Sequence, residues 1–346
     1  MKKRFVFLFM ISLVSIAFLS CDPNEEELEN EVVNLLGEGV MDGELTENYT
    51  MDATKTYSLT GAFTVKEGVT LTIPAGTKIM AVAANGQETE TYIAVMMGAK
   101  INIQGTAQKP VVMSSSAGDP GDWGGLTICG RAVTTEGSPA TAEVGNFQYG
   151  GAQATDNSGS IEYLIIKGAG AAINPESEYN GLTLYAVGSG TTIKNVAIIN
   201  GADDGVEFFG GSVAVSNLYL ENNEDDAIDW TEGWNGSVNN AYVKHTIDNF
   251  STVVEGDGVN NNPGISNLTA IHTNSTNTAS GTALQFKKQS GATFTNVYLE
   301  GYTKLVDMKD AGSLANVIID GSVATLLGPY NNASMKLDIS MWSWFK

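Results

Sequence analysis

Two short acidic segments carry the residues best equipped for chemistry, Ala202-Asp203-Asp204-Gly205-Val206-Glu207-Phe208 and Glu224-Asp225-Asp226-Ala227-Ile228-Asp229-Trp230. Laid over one another they pair Asp203 with Asp225, Asp204 with Asp226 and Glu207 with Asp229, each pair 22 residues apart. Like charges held side by side repel unless a cation, a shared proton or donor groups compensate. Three readings meet that need. In the first, the leading Asp of each pair makes an Asx-turn and the other acids stay solvated. In the second, hard carboxylate oxygens hold Ca2+, with Asp203, Glu207, Asp225 and Asp229 as the candidate ligands. The third is catalysis. Trp230, Trp234, Phe208 and Phe209 stand beside the acids. The phenylalanines read as core residues. Trp230 and Trp234 either stack on a sugar or point inward, and they are the glycan-binding candidates. His245 and His272 are isolated in the sequence, and Cys129 in Leu126-Thr127-Ile128-Cys129 reads as a buried small hydrophobe.

The elements that position these acids come from a repeat. The unit apolar-x-Asn-apolar-x-apolar recurs around Asn195, Asn217, Asn240, Asn267, Asn296 and Asn316, as in Ile193-Lys194-Asn195-Val196-Ala197-Ile198. Ile161-Glu162-Tyr163-Leu164-Ile165-Ile166 is a further member with Tyr163 in the asparagine's place. Spacings of 22, 23, 27, 29 and 20 residues separate the six asparagines. Alternation marks short half-buried strands, and β-branched and aromatic residues fill them. Leucine-rich repeats share the period, but here the intervening segments are rich in Gly, Asn and Ser rather than helix-forming. The pattern therefore predicts an all-β, single-stranded, right-handed parallel β-helix solenoid of three-stranded coils. In it the asparagines stack as a ladder about 4.8 Å apart. Asp203 and Asp225 fall eight residues after their asparagines, and Asp248, eight after Asn240, extends the column to a third coil.

Charge narrows the partners. The 346 residues hold 18 Lys+Arg against 39 Asp+Glu, a net −21, which excludes nucleic acid and anionic lipid headgroups as targets. Two cysteines rule out a disulfide scaffold. Residues 1–20 read as a signal peptide, with Lys2, Lys3 and Arg4 before the apolar run Phe5–Phe18. Residues 21–55 begin with the acidic run Glu25-Glu26-Glu27-Leu28-Glu29 and read as a flexible tether. The β-helix is expected over 56–335. The tail 336–346, with Trp342, Trp344 and Phe345, is expected to plug the last coil, whose sheet edge is otherwise open.

Ala17-Phe18-Leu19-Ser20-Cys21 resembles a lipoprotein lipobox, which implies that Cys21 is lipidated and becomes the mature N-terminus. The acidic run that follows resembles the surface-export signal of Bacteroidetes-type lipoproteins. Val69-Thr70-Leu71-Thr72-Ile73-Pro74-Ala75-Gly76, then Pro110-Val111-Val112 and Trp123-Gly124-Gly125-Leu126, are similar to the pectin-lyase-like β-helix domains of such proteins. The resemblance implies a lipid-anchored protein of the cell outer membrane and defines no single activity. The acidic columns and nearby aromatics lead to the expectation that it binds a glycan or another surface component, a polysaccharide or a surface protein, with Ca2+ as a candidate cofactor. Polygalacturonases share the fold. Asp204, Asp225 and Asp226 resemble their acidic set, and Lys287-Lys288 loosely resembles their Arg-Ile-Lys run, which implies inverting hydrolysis as an alternative. Their Gly-His-Gly is missing, and polysaccharide lyases of this fold use Ca2+ with a basic residue, whereas no arginine lies beyond Arg131. A structural or adhesive spacer is the remaining reading.

Overall fold

The computed structural model describes residues 23–85, 91–143, 145–174, 177–258, 262–273 and 281–346, with side chains from residue 31 onward. The expected signal peptide and Cys21 lie outside the described residues.

Each short strand pairs in parallel with its counterpart one coil later, so Thr192–Ile199 lies between Gly159–Lys167 and Ala214–Glu221. These long strands bend once. Residues 192–194 and 196–199 pair with the coils on either side while residue 195 is skipped, which makes two faces from one strand. A third face stacks Leu126–Cys129, Leu182–Tyr185, Val206–Phe209, Ile228–Thr231, Thr252–Gly256 and Thr282–Phe286 in that order. Its alternate side chains Leu184, Phe208, Trp230 and Phe286 point inward and are at most 1% exposed. The outcome is a parallel β-helix with a continuous apolar core.

The bend explains the asparagines. Asn195, Asn217, Asn240, Asn267 and Asn296 all have φ between 55° and 62°, the left-handed region that Asn tolerates better than other side chains. There each side-chain Nδ2 donates to the Oδ1 of the asparagine one coil earlier, at 2.8–2.9 Å from Asn217 through Asn296. Asn316 is not part of this ladder. Register pairs Phe294 with Ile319 rather than Leu314, and Asn316 instead donates to the Gln289 carbonyl. The left-handed residue of that last rung is Asp320, whose Oδ1 accepts the Asn296 N–H.

Asn240→Gly keeps the left-handed backbone and loses the two ladder bonds, so it is expected to cost about 1 kcal/mol. Asn240→Leu adds backbone strain and is expected to cost about 2–3 kcal/mol, read from urea unfolding midpoints. Equal costs for the two variants would mean that the left-handed bend is not what selects asparagine.

Both ends differ from expectation. Residues 23–38, read as part of a flexible tether, form the helix Pro23–Glu38, and the first coil begins at Val40–Leu45 rather than at residue 56. Val32 and Val33 pack on the core and Leu36 is fully buried, so the helix covers the apolar edge that an open first coil would expose. At the other end, Ile318–Ile319 turns back antiparallel onto Ser322–Val323, and Ala324 and Tyr330 join the core. The aromatic tail therefore does not plug the last coil. It runs back across the outside of the second face, where Leu337 donates to Thr269 Oγ1 and Phe345 stacks on Tyr219 at 3.8 Å. Trp344 packs edge-on against Tyr163. The surface it covers is an outward apolar column, Ile165, Ala197, Tyr219 and Tyr242, in register on successive coils.

Candidate functional site

On the third face the side chains that alternate with the core point outward and form a column. In register it reads Thr127, Thr183, Glu207, Asp229, Glu255 and Gln285. Three carboxylates therefore sit on consecutive rungs, each next to the other at strand spacing. The turns that lead into this face bring Asp203 and Asp204 beside Asp225 and Asp226. Three overlapping triplets each place their carboxylate oxygens within 4.8 Å of one another: Asp203/Asp204/Asp225, Asp204/Glu207/Asp229 and Asp226/Asp229/Glu255.

Local hydrogen bonds hold the turns. Asp204 Oδ1 accepts the Asp226 N–H at 2.8 Å, and Asp226 Oδ1 accepts the Thr252 hydroxyl at 2.6 Å. Asn180 Nδ2 donates to Glu207 Oε2 at 2.6 Å. Lys287 forms an ion pair with Glu255 at the lower end of the column. Burial works against the Lys287 charge, but Glu255 and the nearby acids outweigh it and raise its pKa. Three buried oxygens in the column and its turns have no hydrogen-bond partner, Asp229 Oδ1, Asn180 Oδ1 and Thr127 Oγ1.

The electrostatics follow from crowding. Burial, and then the charges of neighbouring carboxylates, push Asp204 and Asp229 well above the usual carboxylate range. Glu207 is raised in the same way, although its bond from Asn180 works in the opposite direction. Burial and the Asp225 charge push Asp203 up to about 8 and Asp226 up to about 7. Asp225, the exposed member of its triplet, is raised by burial as well. It opens onto a hollow of about 480 Å³ that Glu178, Glu224 and Asn249 also line.

Several sequence expectations land elsewhere. Trp230 and Trp234 are 1% and 0% exposed, so neither can stack on a glycan from solvent. Trp230 shares an inward register with Phe208, and Trp234 stacks on Phe208 at 4.0 Å while its Nε1 donates to the Val213 carbonyl. Phe209 is not part of that core; it points outward, stacked on Tyr185. Asp248 does not extend the column. Its Oδ1 lies 3.2 Å from His272 Nε2. The third-coil neighbour of Asp225 is Ser251, whose N–H donates to the Asp225 carbonyl, while Glu255 continues the separate Glu207–Asp229 column. Constant spacing from the asparagine misplaces that rung, because fifteen residues separate Asn240 from Glu255 where twelve separate Asn217 from Asp229. Aligning the apolar alternation of Thr252–Gly256 would have found it. The two histidines are adjacent in register; His245 stacks on Phe250, and burial pushes its pKa down to about 3. Cys129 is a buried free thiol, raised to about 12 by burial.

Of the polygalacturonase-like set, Asp204 and Asp225 bring one carboxylate oxygen each to within 4.8 Å, and Asp204 Oδ1 accepts the Asp226 N–H.

Fold and site together define a parallel β-helix with a crowded acidic column on one outer face. The family model described as a pectate-lyase-like β-helix domain matches residues 43–337, and the chain belongs to that family. No curated protein and no solved structure matches it.

Proposed function

We propose that this protein is a surface lipoprotein of an outer membrane that holds a divalent cation on its third face and binds an acidic glycan through it. The observation that carries the reading is Asp229, a carboxylate shared by two of the oxygen triplets with one buried oxygen that no donor reaches. Buried unpaired oxygens are costly, and carboxylate and amide oxygens together make a hard donor set suited to Ca2+. Glu207, Asp229, Asp204 and Glu255 would hold the ion. It would supply the positive charge that a protein of net −21 needs to meet an acidic polysaccharide. The lipid anchor follows from Ser20-Cys21 and the preceding apolar run.

Thermal melting with and without millimolar Ca2+ tests the cation. A ligand that binds only the native state adds about 2.7 kcal/mol at one hundred times its dissociation constant. Wild type is expected to gain stability, whereas Asp225→Asn/Asp229→Asn is expected to gain none and to start more stable in chelator. A wild-type response no larger than that to NaCl of equal ionic strength would remove the cation from the reading. Retention on immobilised polygalacturonate, lost on adding chelator, tests the glycan.

A further inference from the structure

A second acidic cavity lies farther along the third face and does not depend on the cation reading. The antiparallel pair Ala140–Thr141 and Gln148–Tyr149 folds over the outside of this face. It sets Tyr149 on Tyr185 at 4.7 Å, and Tyr185 in turn stacks on Phe209 at 4.3 Å. These rings and the carboxylates of Glu136, Glu143 and Glu232 enclose about 230 Å³. That is below the ~300–1,000 Å³ of pockets for drug-sized ligands, so the space fits one small ring or a chain end.

Three features describe what would fill it. No lysine, arginine or histidine lines the cavity among the described residues, so three carboxylates share one space with no cation in its lining. Tyr185 is 1% exposed, and its hydroxyl is buried without a hydrogen-bond partner, a state that native proteins rarely leave unanswered. Glu232 is fixed in place by the Tyr149 hydroxyl at 2.8 Å and by the Thr134 hydroxyl. Burial raises Glu143 and Glu232, as it does wherever a carboxylate lacks a counter-charge.

A bare metal ion suits the cavity poorly. Unlike the column, its three carboxylates do not converge within 4.8 Å of one another. Carboxylates beside aromatic rings, with one free phenol, match an organic cation that also carries hydroxyl groups. We propose that this cavity binds the protonated amine of an amino sugar.

Calorimetric titration of the full-length protein tests this with glucosamine as the probe, against glucose and N-acetylglucosamine, which lack the charge. Glucosamine is expected to bind at least tenfold more tightly than either. Glu232→Gln is expected to weaken it at least tenfold, and Tyr185→Phe by several-fold. Glu143→Gln sits on the exposed rim, so it tests the charge without endangering the fold; it is expected to weaken binding several-fold at unchanged melting temperature. Equal binding of glucosamine and glucose would overturn the proposal. So would wild-type affinity in both Gln variants, or displacement of the sugar by Ca2+ alone at its binding concentration.

Discussion

In chelator, the protein is expected to lose stability as the pH rises from about 6.5 to 8. Asp203 and Asp226 are raised to about 8 and about 7, and Asp204, Glu207 and Asp229 lie well above the ordinary range. In the unfolded chain the same groups titrate near 4. Between those values the native state holds more protons than the unfolded state, so unfolding becomes easier as the pH rises. Below about 4 both states are protonated and the penalty vanishes. His245 works the other way, since burial lowers it from 6.5 to about 3, and its contribution is complete once the pH passes 6.5. The window from 6.5 to 8 therefore isolates the acids. A fall in melting temperature on the order of 5 °C is expected there. Asp229→Asn should flatten the slope by removing the carboxylate shared between triplets, and Ca2+ should lift the alkaline end by displacing protons. A melting temperature that stays level or rises across the window would mean that the column is ionised and compensated by donors.

The second large effect is expected from Trp234→Ala. The indole is fully buried, stacked on Phe208 and tied by Nε1 to the Val213 carbonyl. Truncating a buried Trp removes its transfer energy and leaves a cavity, at a cost of about 3–5 kcal/mol. Urea unfolding should show that loss as a shifted midpoint at unchanged slope. Trp234→Phe should recover part of it, because a ring can still stack on Phe208. An unchanged midpoint for Trp234→Ala would put the indole outside the core and restore its candidacy as a sugar platform.

The repeat was legible because its cause is local. A left-handed bend must recur once per coil, Asn satisfies it, and the spacing of Asn195, Asn217, Asn240, Asn267 and Asn296 records the coil length directly. The same period places Glu207 against Asp229, since both sit twelve residues after their asparagine. The sequence alone therefore determined the all-β solenoid, its ladder and the first two rungs of acids. Counting failed wherever a turn changed length, which is why Asp248 falls off the Asp203–Asp225 column, why Glu255 goes unseen on the Glu207–Asp229 column, and why Asn316 stood in for Asp320. Inward or outward direction was also beyond it for Trp230 and Trp234. Alternation assigns a residue to one of two sides, but only the closed coil makes one of them the interior. The ends needed the tertiary structure as well. Residues 23–38 became a cap because an open coil presents an apolar edge to Val32, Val33 and Leu36. The aromatic tail found its place along Tyr219 and Tyr242 because only stacked coils turn scattered outward residues into one continuous stripe.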